Sequence, residues 1–333
     1  MRAAIYRTTG AASDVLDVTD IKIPGPGPGQ VRVRVHASGV NPTDVKSRAG
    51  LTTRGIESFQ VPHHDGAGVI DAVGAGIDLA RIGERVWVML AADANPYGTA
   101  ADYCIVRDDF ARPLPPEIPF ALGATLGVPA LTAAYCLFAD GPIDGTQVLV
   151  HGGAGGVGRY AVQLARWAGA TVVATASTEA KRQIARDAGA HHVVDYRAAD
   201  AADQILAIAP NIRRIVEVDI GTNLDLDLAV SHPGTVIVVY AADGPDPVLP
   251  RRRLMTASVT LEFMLLYNTE REKFLRALDL TEQALREGAL TMPPASVYRL
   301  EDIVAAHEAQ EAGPDSRILI AVTDDVSADL GTT

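Results

Sequence analysis

Gly153-x-Gly155-x-x-Gly158 stands between the β-branched run Val148–Val150 and an apolar stretch with helical spacing. Glycines so spaced, after a strand and opening a helix, can cradle a pyrophosphate. The first permits a tight turn, the second lets the backbone approach the phosphates, and the third lets helix and strand pack closely. Phosphate oxygens then meet the amides of the helix N-terminus. Gly156 and Val157 belong to the same loop. The plainer reading is a glycine-rich turn with no ligand, and the strand–turn–helix context argues against it. The next strand ends at Ala176-Ser177. An NAD site places Asp or Glu there, to bond both ribose hydroxyls. Ser177 is small and neutral and leaves room for a 2′-phosphate. Lys181, with Arg182 beside it, can neutralise one. The alternative for Lys181 is an exposed helical lysine. Glu179 lies past the strand end, in a first helical turn, where a carboxylate favours the dipole. These residues favour NADP(H) over NAD(H). Elsewhere, no Gly-x-Ser-x-Gly or Ser-His-Asp spacing offers a nucleophile.

The elements that would hold this loop can be read along the chain. At 333 residues the chain exceeds one ordinary core and predicts two domains. Apolar residues are 48% and aromatics 5%, with Ala, Val and Gly dominant, which suits an α/β protein with a large core. The first third holds strand-like runs, "RAAIY", "QVRVRVHASGV", "GAGVIDAVG" and "ERVWVML", punctuated by Gly and Pro. "PGPGPGQ" is a surface turn, since proline lacks an amide donor. This part reads as an irregular, mostly antiparallel β domain. From Phe120 the pattern turns helical, then alternates: strand Gln147–His151, helix Gly156–Ala168, strand Thr171–Ala176, helix Glu179–Asp187 and strand His192–Asp195. Helix Ala199–Ile208, strand Arg214–Val218, helix Leu224–Val230, strand Gly234–Tyr240, strand Ser258–Phe263 and helix Thr269–Glu287 follow. Such alternation predicts a doubly wound parallel sheet. The tail, strand–helix–strand, can return to complete the first domain. The predicted domains are 1–121 with 266–333, and 122–265.

Net charge is −12, which disfavours a nucleic-acid partner. The isolated run Arg251–Arg253 reads as a solvated helix start. Cys104 and Cys136 are the only cysteines, with no paired spacing for zinc or a disulfide framework. "MRAAIYRTTG" lacks the apolar core of a signal peptide, and no run reaches the ~18 apolar residues of a membrane span. The expectation is a soluble, cytoplasmic protein that does not insert in membranes.

Gly39-Val40-Asn41-Pro42-Thr43-Asp44, Asp65-Gly66-Ala67-Gly68-Val69-Ile70, Gly83-Glu84-Arg85-Val86 and Gly153–Gly158 occur in that order. Together they resemble the medium-chain dehydrogenase/reductase superfamily, and within it the quinone oxidoreductase (ζ-crystallin-like) branch. The resemblance covers nearly the whole chain. It implies a chaperonin-10-like (GroES-like) β domain, a Rossmann domain inserted in it, and an active site in the cleft between them. It further implies NADPH as cofactor, a quinone or activated carbonyl acceptor and a homodimer. By the same resemblance Asn41 faces the nicotinamide end, Thr132 approaches the nicotinamide ribose or amide, and Ser177, Lys181 and Tyr196 line the 2′-phosphate pocket. Phe263–Tyr267 matches the strand end that meets the carboxamide, and Tyr240 is expected at the cofactor. "GTVIVVY" and "SVTLEF" are the candidate edge elements for a dimer.

Zinc alcohol dehydrogenases of this superfamily hold their catalytic metal with Cys, His and Cys. The corresponding positions here are Asn41, His64 and Val128. One ligand of three survives, and zinc needs a fuller sulfur or imidazole set. No metal is therefore expected, and His63-His64-Asp65 reads as a polar loop. Many quinone and enoyl reductases carry tyrosine two residues after the aspartate matching Asp44, where this chain has Lys46. The catalytic candidates are Asn41, Asp44 and Lys46. The expected reaction is zinc-independent hydride transfer from NADPH to a quinone. Reduction of an enone or enoyl thioester is the alternative, and a non-catalytic NADPH-binding protein is the reading from another class.

Overall fold

The structure is a computed structural model and describes residues 1–52, 55–242, 246–324 and 326. It divides into two compact units, Met1–Val128 with Met292–Thr333, and Pro129–Thr291.

The first unit begins with β1 (Arg2–Ile5) and β2 (Asp17–Asp20), an antiparallel pair. Then come β3 (Gln30–Gly39), β4 (Asp65–Val73), β5 (Arg85–Val88), β6 (Tyr103–Arg107) and β7 (Ala111–Pro113). In β3, Val31, Val33 and Val35 are buried and alternate with Arg32 and Arg34, the two-residue period of a half-covered strand. The second unit holds β8 (Gln147–Val150), β9 (Thr171–Thr175), β10 (His192–Val194), β11 (Ile212–Glu217), β12 (Val236–Val239) and β13 (Thr260–Phe263). The chain then returns to the first unit with β14 (Ala295–Arg299) and β15 (Arg317–Ala321).

β15 pairs antiparallel with β3, Leu319 opposite Gly39, so the tail does complete the β unit. That sheet runs β14-β15-β3-β4-β5-β7, with β6 also on β3. The sheet of the second unit runs β10-β9-β8-β11-β12-β13, and all its pairs are parallel. β12 is continuously apolar and β8 and β9 are apolar at their buried centres, as burial on both faces requires, while inner β11 carries the buried Arg214 and Glu217. The order reverses between β8 and β11, which puts the ligand crevice of such a sheet at the C-terminal ends of these two strands.

Three readings need adjustment. The unit boundaries fall later than 121/122 and 265/266. Helix Arg271–Arg286 buries Phe274, Leu278 and Leu285 and packs on helix Gly156–Trp167 of the second unit. Gln163 Nε2 donates to Thr291 Oγ1 at 2.7 Å and Trp167 Nε1 to Glu287 Oε2 at 2.7 Å, so the segment through Thr291 stays there. The helix read as Leu224–Val230 begins a turn earlier, at Ile220, because the Asp219 side chain caps it through the amide of Thr222. Finally, "GTVIVVY" is not an edge. It forms β12, paired on both sides, and β13 occupies the edge instead. The arginine run does begin a helix, Arg251–Ala257, with all three side chains exposed.

Candidate functional site

In the second unit the glycine loop leaves β8 at His151 and enters helix Gly156–Trp167, with Gly155 at the N-cap position. A Cβ on Gly158 would stand 2.1 Å from the Gly152 carbonyl oxygen, and one on Gly153 would stand 2.7 Å from the Ala174 Cβ. These two glycines are required by helix–strand packing. Gly155 and Gly156 are exposed, and a Cβ on Gly156 meets nothing nearer than Pro129 at 3.9 Å. The loop is thus tight beneath and open above, and its bare backbone fits a pyrophosphate. Val157 is half-buried in the first helical turn.

The ends of the parallel pair β9 and β10 bring Ser177 and Tyr196 together. Arg197, beside Tyr196, donates through Nη2 to the Ser177 carbonyl and pairs with Asp195 at 3.1 Å. Arg182 is held by Glu179 at 2.9 Å and Asp195 at 3.2 Å. The Lys181 amide donates to Thr178 Oγ1, and its side chain is half-buried on the same helix. Hydrogen bonds from Arg197 hold the Asp195 carboxyl down at about 2. The strand end therefore carries no unpaired acid, but it does carry Arg197, which the sequence reading passed over although it adjoins Tyr196. Thr132 is buried on helix Gly127–Phe138. Tyr240 follows β12 and is half-buried; burial, with Cys136 and Glu217 nearby, keeps its hydroxyl protonated. Phe263 ends β13 and is 63% exposed.

The first unit gathers Asn41, Asp44, His64, Asp65 and Arg317, all buried. Asn41 precedes helix Pro42–Ala49; proline at its first position suits the missing amide, and Asp44 Oδ2 reaches back to the Asn41 amide at 2.7 Å. Asn41 Nδ2 donates to Asp65 Oδ2 at 2.8 Å, and Asn41 Oδ1 accepts from Arg317 Nη2 at 2.8 Å. Asp65 Oδ1 accepts from the Val128 amide at 2.8 Å, where a Cβ on Gly127 would collide with the carboxylate. Arg317 Nη2 lies 3.4 Å from Asp65 Oδ2. Two buried carboxyls share this one guanidinium. Burial pushes Asp65 up to about 6, against the pull of Arg317 and Asn41. Burial and the charge of Asp65 push Asp44 up to about 8. Asp44 is therefore a neutral acid at pH 7 and Asp65 the carboxylate.

Asp44 lines a cavity together with Tyr6, Ser47, Gln60, His63 and His64. His64 Nε2 lies 3.9 Å from Asp44 Oδ1. Lys46 is half-buried on the same helix and is absent from the cavity wall. His63 and His64 form a polar loop that is buried and leads into β4 at Asp65. His63, at φ 77°, is wholly buried, with Nδ1 2.8 Å from Ser38 Oγ and Nε2 3.0 Å from His307 Nε2. Burial keeps this pair neutral, with His307 down to about 3. The sequence reading missed Asp65 as Arg317's partner. The available signal was a charged residue opening an apolar run, Asp65 before Gly66–Ile70 and Arg317 before Ile318–Ala321, since a charge drawn into the core requires a counter-charge.

The zinc positions can be judged on their donors. Both amide atoms of Asn41 are engaged by Asp65 and Arg317, and Val128 contributes only a backbone amide. This set does not fit zinc, whatever His64 offers. Among the described residues, the one group of three His, Cys, Asp or Glu ligand atoms lying within 4.8 Å of one another is His151, Glu217 and Asp227, in the second unit.

A family model described as "Zinc-binding dehydrogenase" matches residues 156–283, and one described as "Alcohol dehydrogenase GroES-like domain" matches residues 27–116. The quinone oxidoreductase of Sus scrofa is 34% identical over 294 residues, covering 87% of this chain and 88% of that protein. A native mycobacterial protein solved in complex with NADPH superposes with a TM-score of 0.82 at 29% identity, over 96% of this chain and 99% of that one. Escherichia coli quinone oxidoreductase, solved with NADPH, superposes with a TM-score of 0.83 at 25% identity, over 96% and 100% of the two chains.

Proposed function

Since the chain belongs to the medium-chain dehydrogenase/reductase superfamily, in its quinone oxidoreductase branch, we propose that it is an NADPH-dependent quinone oxidoreductase that works without zinc. The observation that carries the reading is the pairing of an open glycine cradle with a strand end whose one carboxylate, Asp195, is neutralised by Arg197 and Arg182. Gly153, Gly155, Gly156, Val157 and Gly158 would hold the pyrophosphate, with Ser177, Lys181, Tyr196 and Arg197 around the 2′-phosphate. Thr132, Tyr240 and Phe263 would serve the nicotinamide half. Bound NADPH supplies a hydride, and a quinone accepts it without a Lewis acid because its ring stabilises the resulting anion. The chain's own residues orient and protonate. Arg317 and Asp65 lock the Asn41 amide, leaving one Nδ2–H to meet the acceptor oxygen or the cofactor amide. Asp44 carries its proton at neutral pH and shares the cavity wall with His64, so this pair is the proton source, and Lys46 is left with no direct part.

That neutral acid also supports the second reading, reduction of an enone or enoyl thioester, which needs a proton on carbon. The two are separated by kcat/KM for 9,10-phenanthrenequinone against a simple enone or crotonyl thioester, each with NADPH and NADH. Quinone with NADPH should lead, chelator should leave the rate unchanged, and elemental analysis should find far less than one zinc per chain. A higher enone ratio selects the second reading. Tight NADPH binding without turnover of any acceptor removes the enzyme. A homodimer would form through the exposed edge β13, beside Phe263 at 63% and Leu265 at 59% exposure. Among the described residues no helix is long and apolar enough to cross a membrane, and a cytoplasmic site of action goes with that reading.

A further inference from the structure

We propose that His151 is a positioning residue for the glycine loop, and that the proton it shares with Asp227 and Glu217 governs how tightly the loop holds a dinucleotide's phosphates. The inference rests on the dinucleotide reading above. His151 is the last residue before the loop, at the point where the strand order reverses. Its ring is buried, with Nδ1 3.0 Å from Thr175 Oγ1 and Nε2 2.9 Å from Asp227 Oδ1 and 3.6 Å from Glu217 Oε2. Thr175 meets the loop directly. Its hydroxyl accepts from the Gly152 amide at 3.3 Å, and its carbonyl accepts from the Gly153 amide at 3.0 Å. Glu217 Oε1 accepts from Asn223 Nδ2 at 3.0 Å and from the Asp219 amide, at the start of the helix that carries Asp227. One cluster therefore ties the ends of β8, β9 and β11 and the following helix to the first turn of the loop.

The cluster holds more acid than base. Two carboxylates and one neutral imidazole, all wholly or almost wholly buried, reach neutrality only by taking up two protons, of which the short His151–Asp227 contact favours one on the ring, leaving the other for a carboxyl. Glu217 Oε2 and Asp227 Oδ2 have no hydrogen-bond partner among the described residues, so compensation falls to the imidazole and to the two donors on Glu217 Oε1. Burial opposes charge on His151, but Asp227 and Glu217 outweigh it and raise the imidazole. Burial and the charge of Asp227 raise Glu217 to about 7. The other titratable groups facing the cluster are Asp219, whose amide meets Glu217, and Tyr240, which stays protonated. Losing the second proton leaves a net negative charge buried under the amides that must receive a pyrophosphate. Binding and protonation are then reciprocal: phosphates bound on the loop raise the proton affinity of the cluster.

The test is calorimetric titration of NADPH into the wild type, Glu217→Gln and His151→Gln, in two buffers of different ionisation enthalpy near pH 7. The wild type should take up a fraction of a proton more than Glu217→Gln, and its Kd should rise about fivefold more across the range from about pH 6 to about pH 9. The titration of the 2′-phosphate is common to both proteins and cancels in that difference. His151→Gln should bind more weakly at every pH. Should it fail to fold, Glu217→Gln, a neutral isostere, carries the test alone. Equal proton uptake by wild type and Glu217→Gln, with NADPH still bound, overturns this inference and leaves the function standing. No binding by the folded wild type overturns both. One divalent ion per chain that is lost in Asp227→Asn would show that a metal, and not two protons, neutralises the cluster.

Discussion

Asp44 and Asp65 show how burial divides one kind of side chain into two roles. Asp65 keeps its charge because Arg317 and the amides of Asn41 and Val128 surround it. Burial and the negative charge of Asp65 outweigh what Asp44 gains from the Asn41 and His64 amides and from Arg317, and so it keeps its proton. That asymmetry has a consequence for stability. The carboxyl of Asp44 ionises near 8 in the folded chain but near ~3.9 when unfolded. Between those values the folded state carries the extra proton, so raising the pH favours unfolding. The contribution of this group is fully present below about pH 4 and is lost as pH rises through about 8. Asp44→Asn cannot ionise and can still accept from the Asn41 amide. Its denaturant midpoint should therefore fall less than that of the wild type between about pH 6 and about pH 9. Parallel midpoints for the two proteins across that range would show that Asp44 is already ionised.

The strand–loop–helix element at β8 makes opposite demands on glycines two residues apart. Gly158 sits where any Cβ would strike the Gly152 carbonyl at 2.1 Å. Gly158→Ala must push the helix off the strand and should lower stability by about 1–3 kcal/mol, while weakening NADPH binding at least tenfold. Gly156 has open space around it, and alanine suits a first helical turn better. Gly156→Ala should leave stability unchanged or raise it by about 0.5 kcal/mol. Thermal melts and cofactor titrations of the pair check this, and equal destabilisation by both substitutions would contradict the packing described for Gly158. In the same sheet, β12 illustrates a limit of pattern. "GTVIVVY" has the apolar run of any buried strand, and only the addition of β13 alongside decides that it is interior.

At the scale of the whole molecule, the helix Arg271–Arg286 decides where the second unit ends. Its apolar face, with Phe274, Leu278 and Leu285, is covered, and Thr291 anchors the segment to Gln163. We expect a fragment of residues 129–291 to unfold cooperatively and to bind NADPH. A fragment of residues 122–265 lacks that helix, leaves the outer face of helix Gly156–Trp167 bare, and should melt at lower temperature or aggregate. Circular dichroism melts of the two fragments compare them directly. Greater stability in the shorter fragment would restore the boundaries read from the pattern alone.

Sequence by itself was enough for whatever depends on neighbours along the chain. The glycine spacing, the missing strand-end acid at Ser177 and the βαβ alternation are local, whereas the helix that Asn41 and Pro42 open came only with the structure. The ordered motifs added the superfamily and its two-domain plan. Tertiary structure alone decided what depends on which distant groups share a buried space. Arg317 lies 252 positions from Asp65 in the chain, yet it sets which of two aspartates is charged. His151, Glu217 and Asp227 come from the turn after β8, from β11 and from a helix, and none of them lies in a motif that announces the others. Residue type tells what a side chain can do; the low-dielectric interior, through the neighbours it imposes, determines which protonation state does it.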